Sequence, residues 1–225
     1  KNSFARIKEI EKTTNHDIKA IEYYIREKVL ENKEFDYYKY HNLIHFCLTS
    51  QDINSLTNTL SIKYSVEKVI IPSLYKLLSV LEFVIGSWNM VNIISRTHGQ
   101  PAVTTSMGKE IQVFYSRLIV QYKKLQNYEY SSKFGGAVGN LNAHYFSCPD
   151  KYWDSFMDEF CKSFKVKRNK VTTQIDHYDN ITEVFDIIKR INTILIDLNV
   201  DIWLYISINY FKLKTISGEV GSSTM

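Results

Sequence analysis

The chain has 225 residues, of which 44% are hydrophobic and 23% charged, with a net charge of +4. That is the composition of a soluble globular protein with room for one sizeable core, and the charge excess is too small to argue for a nucleic-acid partner. No stretch reaches the roughly 18 uninterrupted apolar residues that a membrane span needs, and three cysteines without a C-x-x-C pair suit a reducing compartment, expected here to be the cytoplasm, and offer no metal site.

In chain order, residues 4 to 31 read as two short helices split at "TTNHD", where Thr14 or Asn15 is placed to cap the second. The polar text "HFCLTSQD" follows. Then Ile70, Leu74, Leu77, Leu81, Val84, Trp88 and Val91 alternate steps of four and three. "SRTHGQPAVTTSMG" interrupts this pattern, and Met107, Ile111, Phe114, Leu118, Gln121, Leu125 and Tyr128 resume it with one polar exception. "FGGAVGN" makes the next break, before the amphipathic stretch "KYWDSFMDEFCKSF", which predicts one short helix. The densest basic run, "CKSFKVKRNK", reads as a solvated loop. "VTTQIDHYDN" is a polar connector. Beyond it Ile181, Val184, Ile188, Ile191, Leu195, Leu198, Ile202 and Tyr205 keep the alternation for over three heptads. The predicted third helix has roughly 32 residues and is about 50 Å long. Seven of the eight glycines fall in three places, the two breaks and the closing "SGEVG".

A sustained 3-4 spacing averages 3.5 residues per turn and gives each helix a narrow seam for near-parallel neighbours. The expected fold is therefore all-α, an elongated bundle of long helices. Ile187, Ile194 and Tyr210 lie off the seam, and burying them as well calls for further helices, such as those of other subunits.

Polar residues gather at the ends of these helices and in the breaks. Taken singly, none of the clusters identifies a site, because Thr and Ser at helix starts are commonly caps. Together, "TTNHDIKAIEYY", "HFCLTSQDIN", "SRTHGQPAVTTSMGKE", "GAVGNLNAH", "TTQI" and "GEVGSSTM" resemble, in order, the adenylosuccinate lyases of the fumarase/aspartase superfamily. The terminal "GSSTM" looks like the first half of that superfamily's signature, G-S-S-x-M-P-x-K-x-N. Text resembling "GRSRND" (argininosuccinate type) or "SSxMNxNE" (fumarase type) does not stand where this chain has "TSQDIN".

The resemblance implies elimination of fumarate from adenylosuccinate to give AMP, and from the succinyl-carboxamide ribotide of purine synthesis. It implies His98 as general acid and Ser222 as general base. Asn15, His16, Asp17, Thr49, Ser50, Thr97, Gln174 and Ser223 are the implied substrate-binding residues, Thr49 and Ser50 as clamps for a carboxylate or phosphate. His45, Asp52 and Gln100 are implied as supporting residues, and His144 and His177 are left as structural or solvated. No metal or organic cofactor is implied, nor any nucleic-acid or membrane partner. A homotetramer with sites shared between subunits is expected. Residues 1–40 would end an N-terminal helical domain, and 41–225 would form the central long-helix domain, truncated inside the signature loop. With Lys as its first residue and no signal pattern, the sequence reads as an excerpt of a longer protein, inactive when isolated. The alternatives are another fumarate-releasing lyase of the superfamily and a non-catalytic scaffold of the same fold.

Overall fold

A computed structural model describes residues 2–31 and 36–221. In chain order these form α1 (Asn2–Thr14), α2 (Asp17–Glu31), a 3-10 turn (Asp36–Leu43) and α3 (Ser50–Ser65), which runs through a π turn (Val66–Ile70) into α4 (Ile71–Trp88). A hairpin of β1 (Asn92–Thr97) and β2 (Gln100–Ser106) leads to α5 (Met107–Gln126). Then come β3 (Ser131–Lys133), α6 (Asn142–Ser147), α7 (Trp153–Ser163), β4 (Lys167–Asn169) and α8 (Asp179–Ser207). The fold is helical throughout, with strands confined to the hairpin and to a three-residue parallel ladder between β3 and β4. Two compact units result. One contains the chain up to Lys63 with Glu129–Tyr178, the other Tyr64–Tyr128 with the chain from Asp179 onward.

In the first unit, α1 and α2 pack together and the Arg6 guanidinium forks onto the Glu27 carboxylate at 2.6 and 3.0 Å. The cap of α2 differs from expectation. His16, not Thr14 or Asn15, precedes the first turn: its carbonyl accepts the Ala20 N–H at 3.0 Å and its Nδ1 accepts that of Lys19 at 3.3 Å. Asn15 instead takes a left-handed conformation, φ 49°, one of the few that asparagine tolerates. A small apolar core of Phe134, Leu141, Met157 and Cys161 is flanked by Leu48 and Trp153.

The lysines of the basic run are exposed, as its charge suggests, but its arginine is not. Arg168 lies in β4 with its side chain buried, donates to Asp158 at 2.7 Å, to Asp154, and to the Phe134 carbonyl at 3.1 Å. A charge density of this kind looks like surface in sequence because the two aspartates that neutralise it sit 10 and 14 residues away on α7.

In the second unit α5 packs against both α4 and α8. Its buried residues are Met107, Gly108, Ile111, Phe114, Leu118, Gln121 and Leu125, all but Gly108 from the predicted seam. Ser106 caps it, accepting the Lys109 N–H at 3.3 Å. On α8 burial departs from the seam. The buried residues are Ile181, Val184, Ile187, Ile191, Ile194 and Leu198, while Ile188 and Leu195 are only half-buried. Ile187 and Ile194 each precede a seam residue by one position, so the buried stripe is wider than the seam on that side, as expected for a helix packed against a core rather than along a single contact line. Ile187 and Ile194 are therefore covered within this chain and need no helices from elsewhere. Helix α8 has 29 residues, about 44 Å.

Other apolar side chains are left uncovered. Phe83 on α4 is 74% exposed and Trp203 on α8 69%, with Val80, Phe185, Ile196 and Val200 also open. Within Ser50–Trp88 one 18-residue window reaches a mean hydropathy of 1.8 with only 17% of it buried. By length and composition that helix is apolar enough to cross a membrane, although scattered polar residues interrupt its apolar runs.

Candidate active site

The sequence-predicted residues divide between the two units. In the first, Asn15, His16 and Asp17 form the exposed junction of α1 and α2, and the Asp17 carboxylate accepts the Ile18 N–H at 2.7 Å. One turn into α2 lies Glu22, 3% exposed, gripped by Lys19 and Arg26, each at 2.7 Å, and by His45 Nδ1 at 2.9 Å. Burial alone would raise the Glu22 carboxyl; the Lys19 hydrogen bond and charge, with Arg26 and His45, reverse this and hold it below the usual carboxylate range. The Glu22–His45 contact ties this junction to the segment that delivers Thr49 and Ser50.

Those two residues stand where α3 begins. The Thr49 N–H donates to Asp52 Oδ2 at 2.9 Å, the backward half of a capping box with aspartate in place of glutamate. The hydroxyls of Thr49 and Ser50 make no hydrogen bond among the described residues, which leaves them free for a ligand. Asp52 itself is buried and its Oδ1 accepts Lys133 Nζ at 2.5 Å and the amides of Gly135 and Gly136 at 3.0 and 3.2 Å. A second buried carboxylate, Asp176, accepts the Ser55 hydroxyl at 2.5 Å and the Lys133 N–H at 3.2 Å.

Gln174 is exposed on the connector two residues before Asp176. This connector is clamped from the other side. Gly139 has φ 84°, and a Cβ there would lie 2.0 Å from the Thr172 carbonyl oxygen, so only glycine lets the two backbones approach. Within the first unit the structure thus joins the start of α3, the glycine loop and the Gln174 connector into one hydrogen-bonded cluster. The α1–α2 junction is tied to the segment before α3 through Glu22 and His45.

In the second unit the "SRTHGQP" break is the hairpin, which the sequence reading does not predict. His98 and Gly99 are its two-residue turn, with φ 51° and 76°, and Thr97 pairs with Gln100 beneath them. Positive φ at both central positions is what a type I′ turn requires. The Arg96 guanidinium donates to the Gly99 carbonyl at 3.0 Å and steadies the turn. His98 and Thr97 are exposed at its tip. At its base lies a cavity of about 690 Å³, bordered by Trp88, Asn92, Ile94, Arg96, Tyr210 and Phe211. The chain leaving α8 is fastened there, by Tyr210 Oη donating to the Ile94 carbonyl at 2.6 Å and by Phe211 against Trp88 at 5.3 Å. Ser222 and Ser223 lie outside the described residues.

The profile of the family described as Lyase matches residues 1–225, the whole chain. The chain belongs to that family. It is 52% identical over 225 residues to the adenylosuccinate lyase of Dictyostelium discoideum, covering 98% of this chain and 48% of that protein. It is 46% identical over 221 residues to the adenylosuccinate lyase of Haemophilus influenzae and 45% identical over 221 residues to that of Escherichia coli K12, again with 98% and 48% covered. The chain thus spans about half the length of the curated relatives it matches.

Two solved structures share the fold at a TM-score of 0.71. They are a fumarate lyase from Mesorhizobium sp. BNC1, 15% identical over 91% of this chain and 45% of that one, and a β-carboxy-cis,cis-muconate cycloisomerase from Acinetobacter calcoaceticus sp. ADP1, 16% identical over 90% and 45%. At such identity they speak for the lyase fold alone. Sequence reading missed Ser55, Asp176 and Lys133 of this cluster, and of these Lys133 carried a signal. It stands in "SSKFGG", a lysine in an otherwise small and apolar run, and that mismatch with its surroundings is the signal that it is buried and paired.

Proposed function

We propose that the complete protein eliminates fumarate from adenylosuccinate, giving AMP, and performs the same elimination on the succinyl-carboxamide ribotide. The observation that carries this is the 52% identity over 98% of the chain to an adenylosuccinate lyase. The chemistry sets three demands. A proton beside a carboxylate must leave, the departing nitrogen must gain one, and fixed donors must stabilise a doubly charged intermediate.

In this reading His98 is the general acid, its imidazole supplying an N–H that can pass to the leaving amine. Its exposure at the hairpin tip, held by Arg96, supports that role. Ser222 is the general base, activated in a closing loop that excludes water and turns backbone N–H groups onto the alkoxide. Asn15, His16, Asp17, Thr97, Gln174 and Ser223 contact substrate, and Thr49 and Ser50 clamp an oxyanion with hydroxyls and the first N–H groups of α3. The division into an N-terminal domain ending near residue 40 and a central helical domain belongs to the same reading. So does a cytoplasmic homotetramer sharing its sites between subunits, supported by the uncovered apolar residues of α4 and α8.

The test is kinetic. In the complete protein, His98→Ala and Ser222→Ala are each expected to slow elimination by roughly 100-fold or more while substrate still binds. Turnover near the wild-type rate in either variant removes that residue from its role.

A further inference from the structure

The first turn of α3 carries a difficulty for any anion bound at Thr49 and Ser50. Asp52 stands in that turn, and a carboxylate at a helix N-terminus occupies the same positive end and repels a second negative group. Asp52 is not left with its charge. Its side chain and that of Lys133 are both 0% exposed, and the pair is closed by Lys133 Nζ donating to Asp52 Oδ1 at 2.5 Å and to the Gly136 carbonyl at 2.6 Å. The other carboxylate oxygen holds the Thr49 N–H at 2.9 Å. The Lys133 backbone is fixed in turn, its N–H donating to Ser55 Oγ at 2.9 Å. A buried ion pair of this sort is a poor route to stability, since apolar residues of the same volume serve as well. Its value here lies in what it leaves at the helix end: an ordered first turn with no net charge from Asp52 and two hydroxyls without partners among the described residues.

We propose that the Asp52–Lys133 pair is a positioning device for the substrate oxyanion: Asp52 orders the turn bearing Thr49 and Ser50, and Lys133 neutralises Asp52 so that the turn accepts an anion. This rests on the proposed function, in which Thr49 and Ser50 face substrate. Neither member of the pair touches substrate itself. The oxyanion is either a carboxylate of the fumarate moiety or the nucleotide phosphate, and the two products carry one each.

The test measures binding of fumarate and of AMP to the complete protein by calorimetry, beside steady-state kinetics on adenylosuccinate. Lys133→Met leaves a buried carboxylate uncompensated next to the anion. It is expected to weaken one of the two products by about tenfold or more and to raise KM similarly, with kcat changed far less. Loss confined to fumarate identifies the carboxylate, and loss confined to AMP the phosphate. Lys133→Arg keeps the charge and is expected to stay near wild type. The double variant Asp52→Asn, Lys133→Met removes both charges, so it remains informative if the single variant fails to fold, and it is expected to bind both products within about threefold of wild type. Unchanged affinity for both products in a folded Lys133→Met protein overturns the proposal, as does a double variant that folds but still binds neither. A wild-type protein that binds these products yet releases no fumarate from adenylosuccinate defeats the proposed function, and the binding data still decide this inference.

Discussion

His144 is buried with both ring nitrogens unpaired, its ring 5.0 Å from Trp153 and edge-on to Phe46 at 6.4 Å. Burial pushes its pKa down, Asp52 pulls it back and Lys133 opposes Asp52; the net direction is downward. With the folded value below the unfolded value near 6.5, the unfolded chain binds the proton first as pH falls. The neutral imidazole therefore contributes stability that is complete above about pH 6.5 and is lost progressively below it. The urea midpoint is expected to fall between pH 7 and pH 5, and to fall less in His144→Phe; an unchanged acid slope in that variant contradicts the assignment. Cys161 makes a second residue-scale test. Burial pushes its thiol up to about 11, so in the native protein it is expected to resist alkylation that reaches the half-buried Cys47 and Cys148. Labelling of Cys161 at the rate of the other two would show that this core is open. At this scale the motif residues could be read from the sequence, but their partners could not. Asp52 and Lys133 are 81 positions apart, and only the fold reveals that each charge has an owner.

At the scale of elements, periodicity located the three long helices and chose the buried side of α5 apart from Gly108 and from Tyr128, which lies past the helix end; on α4 it named Leu77 where Leu78 is buried. On α8 it missed Ile187 and Ile194, each one position before a seam residue, because a two-position seam is narrower than the stripe a packed helix buries. It also missed the hairpin at residues 92–106, whose strands bury little and whose sequences, NIISRT and QPAVTTS, carry no regular alternation of apolar and polar residues. Two glycines separate the kinds of constraint at work. Gly139→Ala meets both a left-handed φ and the Thr172 carbonyl, and is expected to lower stability by about 2–4 kcal/mol. Gly99→Ala meets only a left-handed φ, 76°, with nothing within 4 Å of its Cβ. Its expected cost is about 1–2 kcal/mol. Thermal melts of the two variants check the ranking; equal losses would mean that the approach to Thr172 is easily relaxed.

At the scale of the whole molecule, large apolar side chains stay exposed on α4 and α8, Phe83 and Trp203 among them, and exposed apolar surface of this kind commonly marks an interface. A second copy of the chain is the occupant proposed for it, and light scattering on the complete protein is expected to give four times the chain mass. A monomeric mass would refute that assembly, and with it the sharing of sites between subunits. The central claim is the reaction. Fumarate release by the complete protein, followed with adenylosuccinate, argininosuccinate and aspartate offered separately, tests it most directly. The account predicts fumarate and AMP from adenylosuccinate and no fumarate from the other two. Release from argininosuccinate or aspartate in its place, or from none of the three, would contradict it.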